Sequence, residues 1–308
     1  MKFIVRLMLL LSMPGALLAQ ARQEFTAVHM GVQVRIVLYA RSEALGRSAA
    51  RASYDRIAEL DARLSDYRPD SEVRRLSGDP GEWQPVSRDL LRVLAKAQEV
   101  TTASDGAFDV TVGPLVALWR TARDGGRMPD SVALTDARSR SGSALLEIDT
   151  VQSRVRLAVP GMQLDLGGIA KGYILQQALE TLQANGVPSA MVEAGGDVVV
   201  GTAPPGTAGW SILVLDADSA VQSRSSALVN VAVATSGGSE QFVEIDGRRY
   251  SHVIDPRTGL GVTASRTVTV ITPDAALADA LATALNVLGP NGADSLKRRY
   301  PQVLIAFR

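Results

Sequence analysis

The fold is decided by the stretch LDLGGIAKGYILQQALETLQANG, residues 164–186. Apolar and polar residues alternate up to Leu166, which predicts a strand. Two glycines follow as a turn, and a helical pattern then continues until Asn185-Gly186, a pair that commonly ends helices. The stretch therefore predicts a strand that passes through a tight glycine turn directly into a helix.

The flanking sequence predicts further strands and helices that do not alternate regularly. The run FTAVHMGVQVRIVLYA, 25–40, predicts one long strand or a strand pair, and 42–64 has the apolar spacing of a helix. Ser87 is the expected N-cap of a second long helix, and Thr272 with Pro273 predicts the start of another. These patterns indicate an α+β fold, with mixed sheets and packed helices.

The N-terminus has the pattern of a secretory signal peptide. Lys2 and Arg6 precede an apolar run over 7–18, and Ala19-Gln20-Ala21 is a small-x-small cleavage site. The run is shorter than the roughly 20 residues of a membrane-spanning helix. We expect a signal peptide at 1–21, cleaved after Ala21 or Ala19, and one domain at 22–308. The alternative is an uncleaved inner-membrane anchor.

Composition narrows the class of protein. Lysine plus arginine and aspartate plus glutamate number 32 each, and this balance argues against a bulk nucleic-acid binder. No cysteine is present, which excludes disulfides, a thiol nucleophile and a cysteine-linked lipid anchor. Together with the leader, this composition predicts an exported, periplasmic protein.

Three sites carry residues suited to chemistry. In LDLGGIAKGY, Lys171 and the helix N-terminus suit a phosphate, although a purely structural glycine turn fits equally well. Asp279 and Thr283 are four residues apart, so one helix face offers two hard oxygens for Mg²⁺ or simply a solvated surface. His252, predicted in the returning strand of a hairpin, has no cysteine or histidine nearby to share a metal, so a structural role, the commoner one, and a catalytic role stay open.

Taken together, the motifs resemble those of the ApbE family, the FAD:protein FMN transferases. The matching runs cover nearly the whole chain after the leader: MG at 30, LDARLSDYRPDSEV at 60, SDGAFDVTVGPLVALW at 104, LDLGGIAKGY at 164, EAGGD at 193, TSGG at 235, YSHVIDPRTG at 250 and ADALATAL at 278.

The resemblance implies a single two-lobed domain with a cleft for FAD. It implies Mg²⁺ as cofactor and FAD as substrate. The implied reaction transfers FMN to a threonine or serine hydroxyl of a target protein and releases AMP. The implied targets are membrane redox-complex subunits or exported flavoproteins.

The resemblance also assigns roles to individual residues. Asp279 and Thr283 match the side-chain ligands of Mg²⁺, the carbonyl of Gly168 matches a third ligand, and His252 matches a histidine with a catalytic role, as base or as positioning residue. The positions expected around FAD are Met30, Tyr67, Ala107, Phe108, Asp109, Asp165, Lys171 and Ile254.

Three departures from the family pattern concern the FAD contacts and the choice of target. Val32 replaces a threonine, Gln176 stands where many members have aspartate, and Gly238-Ser239 replaces an acidic–aromatic pair. Two other functions remain open at this point: a Mg²⁺-dependent FAD pyrophosphatase that makes FMN and AMP, and a non-catalytic FAD-binding protein.

Overall fold

The computed structural model describes residues 20–78, 80–215, 223–237 and 242–308. The predicted signal peptide, apart from its last two residues, and the Gly238-Ser239 pair lie outside the described residues. The strands are β1 (Ala21–His29), β2 (Val32–Ala40), β3 (Gln84–Pro85), β4 (Leu146–Asp149), β5 (Arg154–Leu157), β6 (Ala190–Ala194), β7 (Asp197–Val200), β8 (Trp210–Leu215), β9 (Ser223–Leu228), β10 (Val231–Gly237), β11 (Phe242–Ile245), β12 (Arg248–Ser251), β13 (Ile254–Asp255), β14 (Leu260–Gly261), β15 (Thr267–Thr272) and β16 (Leu304–Phe307).

Helices cover much of the remaining chain. They are α1 (Glu43–Leu64), α2 (Glu72–Leu76), α3 (Arg88–Ala103), α4 (Gly113–Gly125), α5 (Ser131–Ser139), α6 (Ala170–Ala184), α7 (Ala275–Leu288) and α8 (Ala293–Arg299). Within the described ranges, no helix is long and apolar enough to cross a membrane.

The architecture is built on one seven-stranded sheet in the order β1-β2-β6-β7-β10-β15-β16. Every neighbouring pair in it runs antiparallel, and hairpins join β1 to β2 and β6 to β7. Four small sheets pair β3-β5-β4, β8-β9, β11-β12 and β13-β14. The expected α+β class is confirmed, in a single domain.

The main core lies between this sheet and the helices α1, α6 and α7 on one of its faces. Ile36, Leu60, Leu175 and Leu281 are fully buried there. Each such aliphatic side chain contributes about 1.5–3 kcal/mol by leaving water. Helix α6 packs against both α1 and α7, so the glycine turn that precedes it is held against α7.

Two smaller apolar clusters complete the fold. The β8–β9 hairpin covers the opposite face of the large sheet, where Trp210 and Ile212 pack on Val37 and Val233. A third cluster joins α4 and α5 to the strands β11–β14 through Leu115, Trp119, Ile245 and Ile254, among others. We call α4, α5 and β11–β14 together the third unit. The third unit and the main core form the two walls of a cleft.

A buried ion network fixes α6 relative to α1 and α3. The carboxylate of Asp89, on α3, accepts from Arg56 at 2.6 Å and from Arg63 at 2.8 Å, both on α1. The Tyr173 hydroxyl on α6 donates to the same carboxylate at 2.7 Å. Because Asp89 is 7 % exposed, removing any partner would leave part of a buried charge without compensation.

The sequence also predicts a short strand within DGAFDVTVGPLVALW, 105–119. Both this strand and the one predicted to end at Leu166 were wrong. The β-branched run 110–112 forms a 3-10 turn that leads into α4, because the Asp109 side chain caps Thr111 and Pro114 fits the first helical turn. Residues 162–166 belong to no sheet, and 167–169 form a turn. Asp165 N donates to Val110 O at 2.8 Å, and no ladder follows.

Two boundaries also differ from the prediction. Thr272 remains in β15, paired with Ala232, and Asp274 is the actual N-cap of α7, accepting from Leu277 N at 3.0 Å. His252 lies just beyond β12 rather than in the returning strand, because the strand ends at Ser251.

Candidate active site

A cavity of about 460 Å³ lies in the cleft between the main core and the third unit. Its volume is in the range of small-molecule and cofactor pockets. All the residues that the sequence assigned to the site, except Met30, line this cavity: Tyr67, Ala107, Phe108, Asp109, Asp165, Gly168, Lys171, His252, Ile254, Asp279 and Thr283. Five separate segments of the chain thus converge on one cavity, while the individual roles stay predictions.

Met30 is the exception. It forms the β1–β2 turn with a φ of 53°, and its side chain packs partly buried against the main core. Val32, two residues further along, does line the cavity. Met30 does not line the cavity, so a contact between Met30 and FAD stays a prediction.

The three metal candidates come together because two glycines allow close approach. A Cβ added at Gly168 would lie 3.0 Å from Thr283 Oγ1 and 3.2 Å from Phe108 Cε2. At Gly172 a Cβ would lie 2.1 Å from the carbonyl of the first α7 residue, so α6 can touch α7 only through a glycine. The Gly172 N–H donates to Asp279 Oδ2 at 3.0 Å, which fixes that carboxylate.

The donor set fits a hard divalent cation. Asp279 Oδ1 and the Thr283 hydroxyl have no hydrogen-bond partner in the described part of the chain, so both are available as ligands. One carboxylate, one hydroxyl and the Gly168 carbonyl suit Mg²⁺, which keeps its other positions for water and substrate phosphates. No cluster of three or more histidine, aspartate or glutamate side chains suited to a metal occurs among the described residues.

Charged groups adjoin this set. Lys171 pairs with the buried Asp197, whose Oδ1 accepts from Thr235 N at 2.9 Å. Burial raises the pKa of Asp279 to about 7, Asp197 adds to the rise, and Lys171 opposes it. Burial alone would lower the pKa of Lys171, but the carboxylates of Asp279 and Asp197 outweigh it and raise that pKa. Lys171 is therefore a permanent positive charge beside the metal candidates.

The turn at 105–109 presents Phe108 and Asp109 to the cavity. Asp105 and Gly106 both have left-handed backbone conformations, with φ of 49° and 74°, so this turn uses the glycine of the Asp-Gly pair. Asp109 accepts from the amide of Thr111 at 2.8 Å and from its hydroxyl at 2.7 Å. Burial nevertheless raises the pKa of Asp109, although the bonds from Thr111 oppose the rise.

His252 is exposed at the rim of the cavity, on a segment that hydrogen bonds hold on both sides. Ser251 N donates to Val262 O, and Val262 N donates to Val253 O, each at 2.8 Å. The Ser251 hydroxyl accepts from Val253 N at 3.1 Å. His252 is thus an exposed residue on a backbone segment that these hydrogen bonds fix.

Helix α4 packs against the segment that carries His252. Trp119 Nε1 donates to Gly259 O at 2.8 Å, and its ring packs 5.3 Å from that of Tyr250. Trp119 also lines the cavity, so one side chain contacts both the pocket and the turn that follows His252.

Sequence reasoning missed Asp66, Trp119, Arg120 and Asp197, all at or beside the cavity. Asp66 and Asp197 lie inside the quoted runs LDARLSDYRPDSEV and EAGGD, which was the signal that could have found them. Trp119 ends a third quoted run, SDGAFDVTVGPLVALW, and Arg120 follows it. Both were missed because the residues after Pro114 were predicted only as an apolar segment, so the inward face of α4 was not considered.

Comparison with known proteins agrees with this site. The ApbE family profile matches residues 30–307. The FAD:protein FMN transferase of Treponema pallidum (strain Nichols) is 33% identical over 297 residues, covering 90% of this chain and 82% of the relative. That of Klebsiella pneumoniae (strain 342) is 32% identical over 278 residues, covering 89% and 85%.

Solved structures show the same fold. The flavinyl transferase ApbE of Pseudomonas stutzeri, in its apo form, superposes with a TM-score of 0.81 at 32% identity, covering 94% of this chain and 91% of that one. The flavin transferase ApbE of Vibrio cholerae gives a TM-score of 0.78 at 29% identity, with 93% of each chain covered.

Proposed function

The chain belongs to the ApbE family, and on that premise we propose that it is an FAD:protein FMN transferase. In the proposed reaction a threonine or serine oxygen of a target protein forms a bond to the phosphorus of the FMN half of FAD. The bridging P–O bond of the pyrophosphate breaks, AMP leaves, and the hydroxyl proton passes to a base.

One observation carries this proposal. Gly168, Asp279 and Thr283 line the same cavity as Lys171, at the glycine turn where α6 begins. Two phosphates bring negative charge, and a permanent cation beside a helix N-terminus stabilises it. A pocket that served only to hold an apolar or neutral ligand would not need this concentration of charge.

We propose that Asp279, Thr283 and the Gly168 carbonyl hold Mg²⁺. When bound, Mg²⁺ neutralises phosphate charge and favours departure of AMP. The protein's own part is to orient the ligands: the Gly172 N–H fixes Asp279, and the α6–α7 contact fixes Gly168 beside Thr283. Lys171 adds a cation held in place by Asp197.

His252 is the proposed residue that receives or orients the acceptor hydroxyl. Its exposed place at the rim supports this role, because an acceptor carried by another protein can reach the rim more readily than the interior. An imidazole accepts a proton near neutral pH. Base and positioning residue are distinguished by the size of the rate loss when the imidazole is removed.

The test is incubation of the protein with FAD, Mg²⁺ and a candidate target that carries an acceptor threonine. Covalent flavin on the target, seen as in-gel fluorescence, supports the transferase. A target with threonine replaced by alanine, and the enzyme variant Asp279→Ala, are the controls that should stay unlabelled. Free FMN and AMP with an unlabelled target would instead identify an FAD pyrophosphatase, and bound but intact FAD a non-catalytic FAD-binding protein.

We also propose that the protein acts after export, on a membrane redox-complex subunit or an exported flavoprotein. The basic start, apolar run and small-x-small site at 1–21 support this location. Cell fractionation tests it: the protein should be found in the periplasm with a shortened N-terminus, and a cytoplasmic, full-length protein would contradict it.

A further inference from the structure

Arg120, on α4, joins two carboxylates and an aromatic ring at one wall of the cavity. Its Nη2 lies 2.7 Å from Asp66 Oδ2 and 3.6 Å from Asp165 Oδ2. Its Cζ lies 4.3 Å from the centroid of the Tyr67 ring. All four residues line the cavity. One guanidinium therefore contacts three side chains that come from two other segments.

Asp66 holds the guanidinium in place. The Asp66 side chain is 11% exposed and the Arg120 side chain 34%, so water shields this pair only in part. A planar guanidinium held by a carboxylate on one edge can still offer its face to an aromatic ring. The arrangement thus needs arginine, because lysine has no planar group to stack.

Tyr67 is unusual for an aromatic residue at a cavity. Its ring rests on Arg120, and yet the residue is 76% exposed. Large aromatic side chains are ordinarily buried in the core. A ring supported on one side and open on the other is suited to stack against a flat heterocycle.

Asp165 offers a hydrogen-bond acceptor next to that ring. Its Oδ1 accepts from Gly167 N at 2.8 Å, while its Oδ2 makes no hydrogen bond in the described part of the chain. Burial raises the pKa of Asp165 and the neighbouring Asp66 raises it further, whereas the Gly167 N–H and Arg120 lower it. Asp66 and Arg120 are the charged groups that face this carboxyl.

We propose that Arg120 is a positioning residue, which fixes the Tyr67 ring and the Asp165 carboxylate as two walls of a slot for one planar heterocycle of FAD. The ring stacks on Tyr67, and an N–H group at its edge donates to Asp165. This inference rests on the proposed function, and it adds a residue outside the runs from which the FAD contacts were predicted.

The first test measures FAD binding without a target protein, by equilibrium dialysis at pH 7. Arg120→Met should weaken FAD binding about tenfold, since the ring loses its support and Asp165 its counterion. Arg127→Met, which removes an exposed arginine outside the cavity, is the control and should bind FAD as the wild type does. Thermal unfolding of each variant verifies that it is folded.

The second test uses pH, which a merely structural role would not affect. In a pH titration that extends from the ordinary range of a carboxyl to pH 8.5, the midpoint at which FAD affinity falls on acidification should lie higher in Arg120→Met than in the wild type. In an Asp165→Asn background the same substitution should leave the profile unmoved, because the titrating group is gone. Arg120→Lys retains the charge but not the stacking face, so it should restore the pH profile and only part of the affinity.

The third test separates a slot for one ring from a contact with phosphate. AMP and FMN each carry one phosphate and one ring system. The slot predicts that Arg120→Met weakens the binding of one of them much more than the other.

Three results would overturn the inference. They are unchanged FAD affinity in Arg120→Met, a pH-independent loss that Arg120→Lys restores in full, and equal losses for AMP and FMN. Each leaves the proposed transfer reaction intact, because none concerns turnover. A wild-type protein that binds no FAD would refute the proposed function and this inference with it.

Discussion

The substitution Asp279→Asn should change stability in opposite senses with and without metal, and its magnitude follows from the burial of the carboxyl. Burial raises the pKa of Asp279 from 3.8 to about 7, with Asp197 adding to the rise and Lys171 and the Gly172 N–H opposing it. A carboxyl whose folded-state pKa is raised loses stability as the pH rises from the unfolded-state to the folded-state value. Asp279 should therefore make the metal-free wild type less stable at pH 8 than at pH 5.

Each unit of pKa corresponds to about 1.4 kcal/mol. Between pH 5 and the folded-state pKa lie about two units, so ionising Asp279 costs at most about 3 kcal/mol over this interval. Asparagine does not titrate, and its carbonyl can still accept from Gly172. The quantity compared is the unfolding free energy of Asp279→Asn minus that of the wild type, both without metal. From pH 5 to pH 8 this difference should shift in favour of the variant by up to about 3 kcal/mol.

The assay is urea unfolding of both proteins in EDTA at the two pH values, repeated with saturating Mg²⁺ at pH 8. Mg²⁺ should stabilise the wild type and leave Asp279→Asn unchanged, because ligand binding to the folded state adds stability by linkage. Asp124→Asn, at an exposed site on α4, is the matched control. A stability difference that is the same at both pH values, or equal stabilisation of both proteins by Mg²⁺, would refute the reasoning.

Three further substitutions test other parts of the site. Gly172→Ala places a Cβ 2.1 Å from the first carbonyl of α7, so the free energy of unfolding should fall by about 3 kcal/mol or more. Gly125→Ala, the control, meets nothing within 4 Å and should be neutral. Equal unfolding midpoints for the two variants would show that α6 and α7 can separate freely. His252→Ala should slow FMN transfer far more than it weakens FAD binding, and a loss confined to FAD binding would make His252 structural. Trp119→Phe removes the donor to Gly259 O, so unfolding measurements should show a loss of about 1–3 kcal/mol and transfer should slow; unchanged transfer would rule out support of the His252 segment by this bond.

Local signals in the sequence predicted much of the fold. Helix α1 begins after Ser42, where its helical pattern starts, and Ser87 caps α3 as expected; the two side chains accept from Leu45 N and Leu90 N. Helix α6 ends at Asn185-Gly186, and the β11–β12 hairpin turns at Asp246-Gly247. In each case the residues that decide the structure lie within four positions of one another, so a single segment contains the information.

The errors arose where local preference and tertiary context disagree. Val110 and Val112 favour a strand by propensity, but the cap from Asp109 and the proline at 114 begin a helix instead. Leu164 and Leu166 alternate like a strand and are buried like one, and yet no neighbouring strand pairs with them. Strand patterns report burial on one face, and they do not report whether a partner strand exists.

The candidate site also combines residues that local sequence predicts with contacts that only tertiary packing produces. The spacing of Asp279 and Thr283 on one helix predicted that they share a face, and both line the cavity. The approach of Gly168 to Thr283 joins residues more than a hundred positions apart, and only the packing of α6 on α7 produces it. Arg120 could not have been found from the sequence, since its partner Asp66 lies on a different segment 54 residues away.

The central claim is that this cavity transfers FMN to a protein hydroxyl rather than to water. The most direct measurement is the ratio of covalently bound FMN to released AMP, with Mg²⁺, FAD and a target carrying one acceptor threonine. The account predicts one FMN on the target for each AMP, and no AMP when the threonine is replaced by alanine or when EDTA is present. AMP released at the same rate without the acceptor, with the flavin recovered as free FMN, would contradict it.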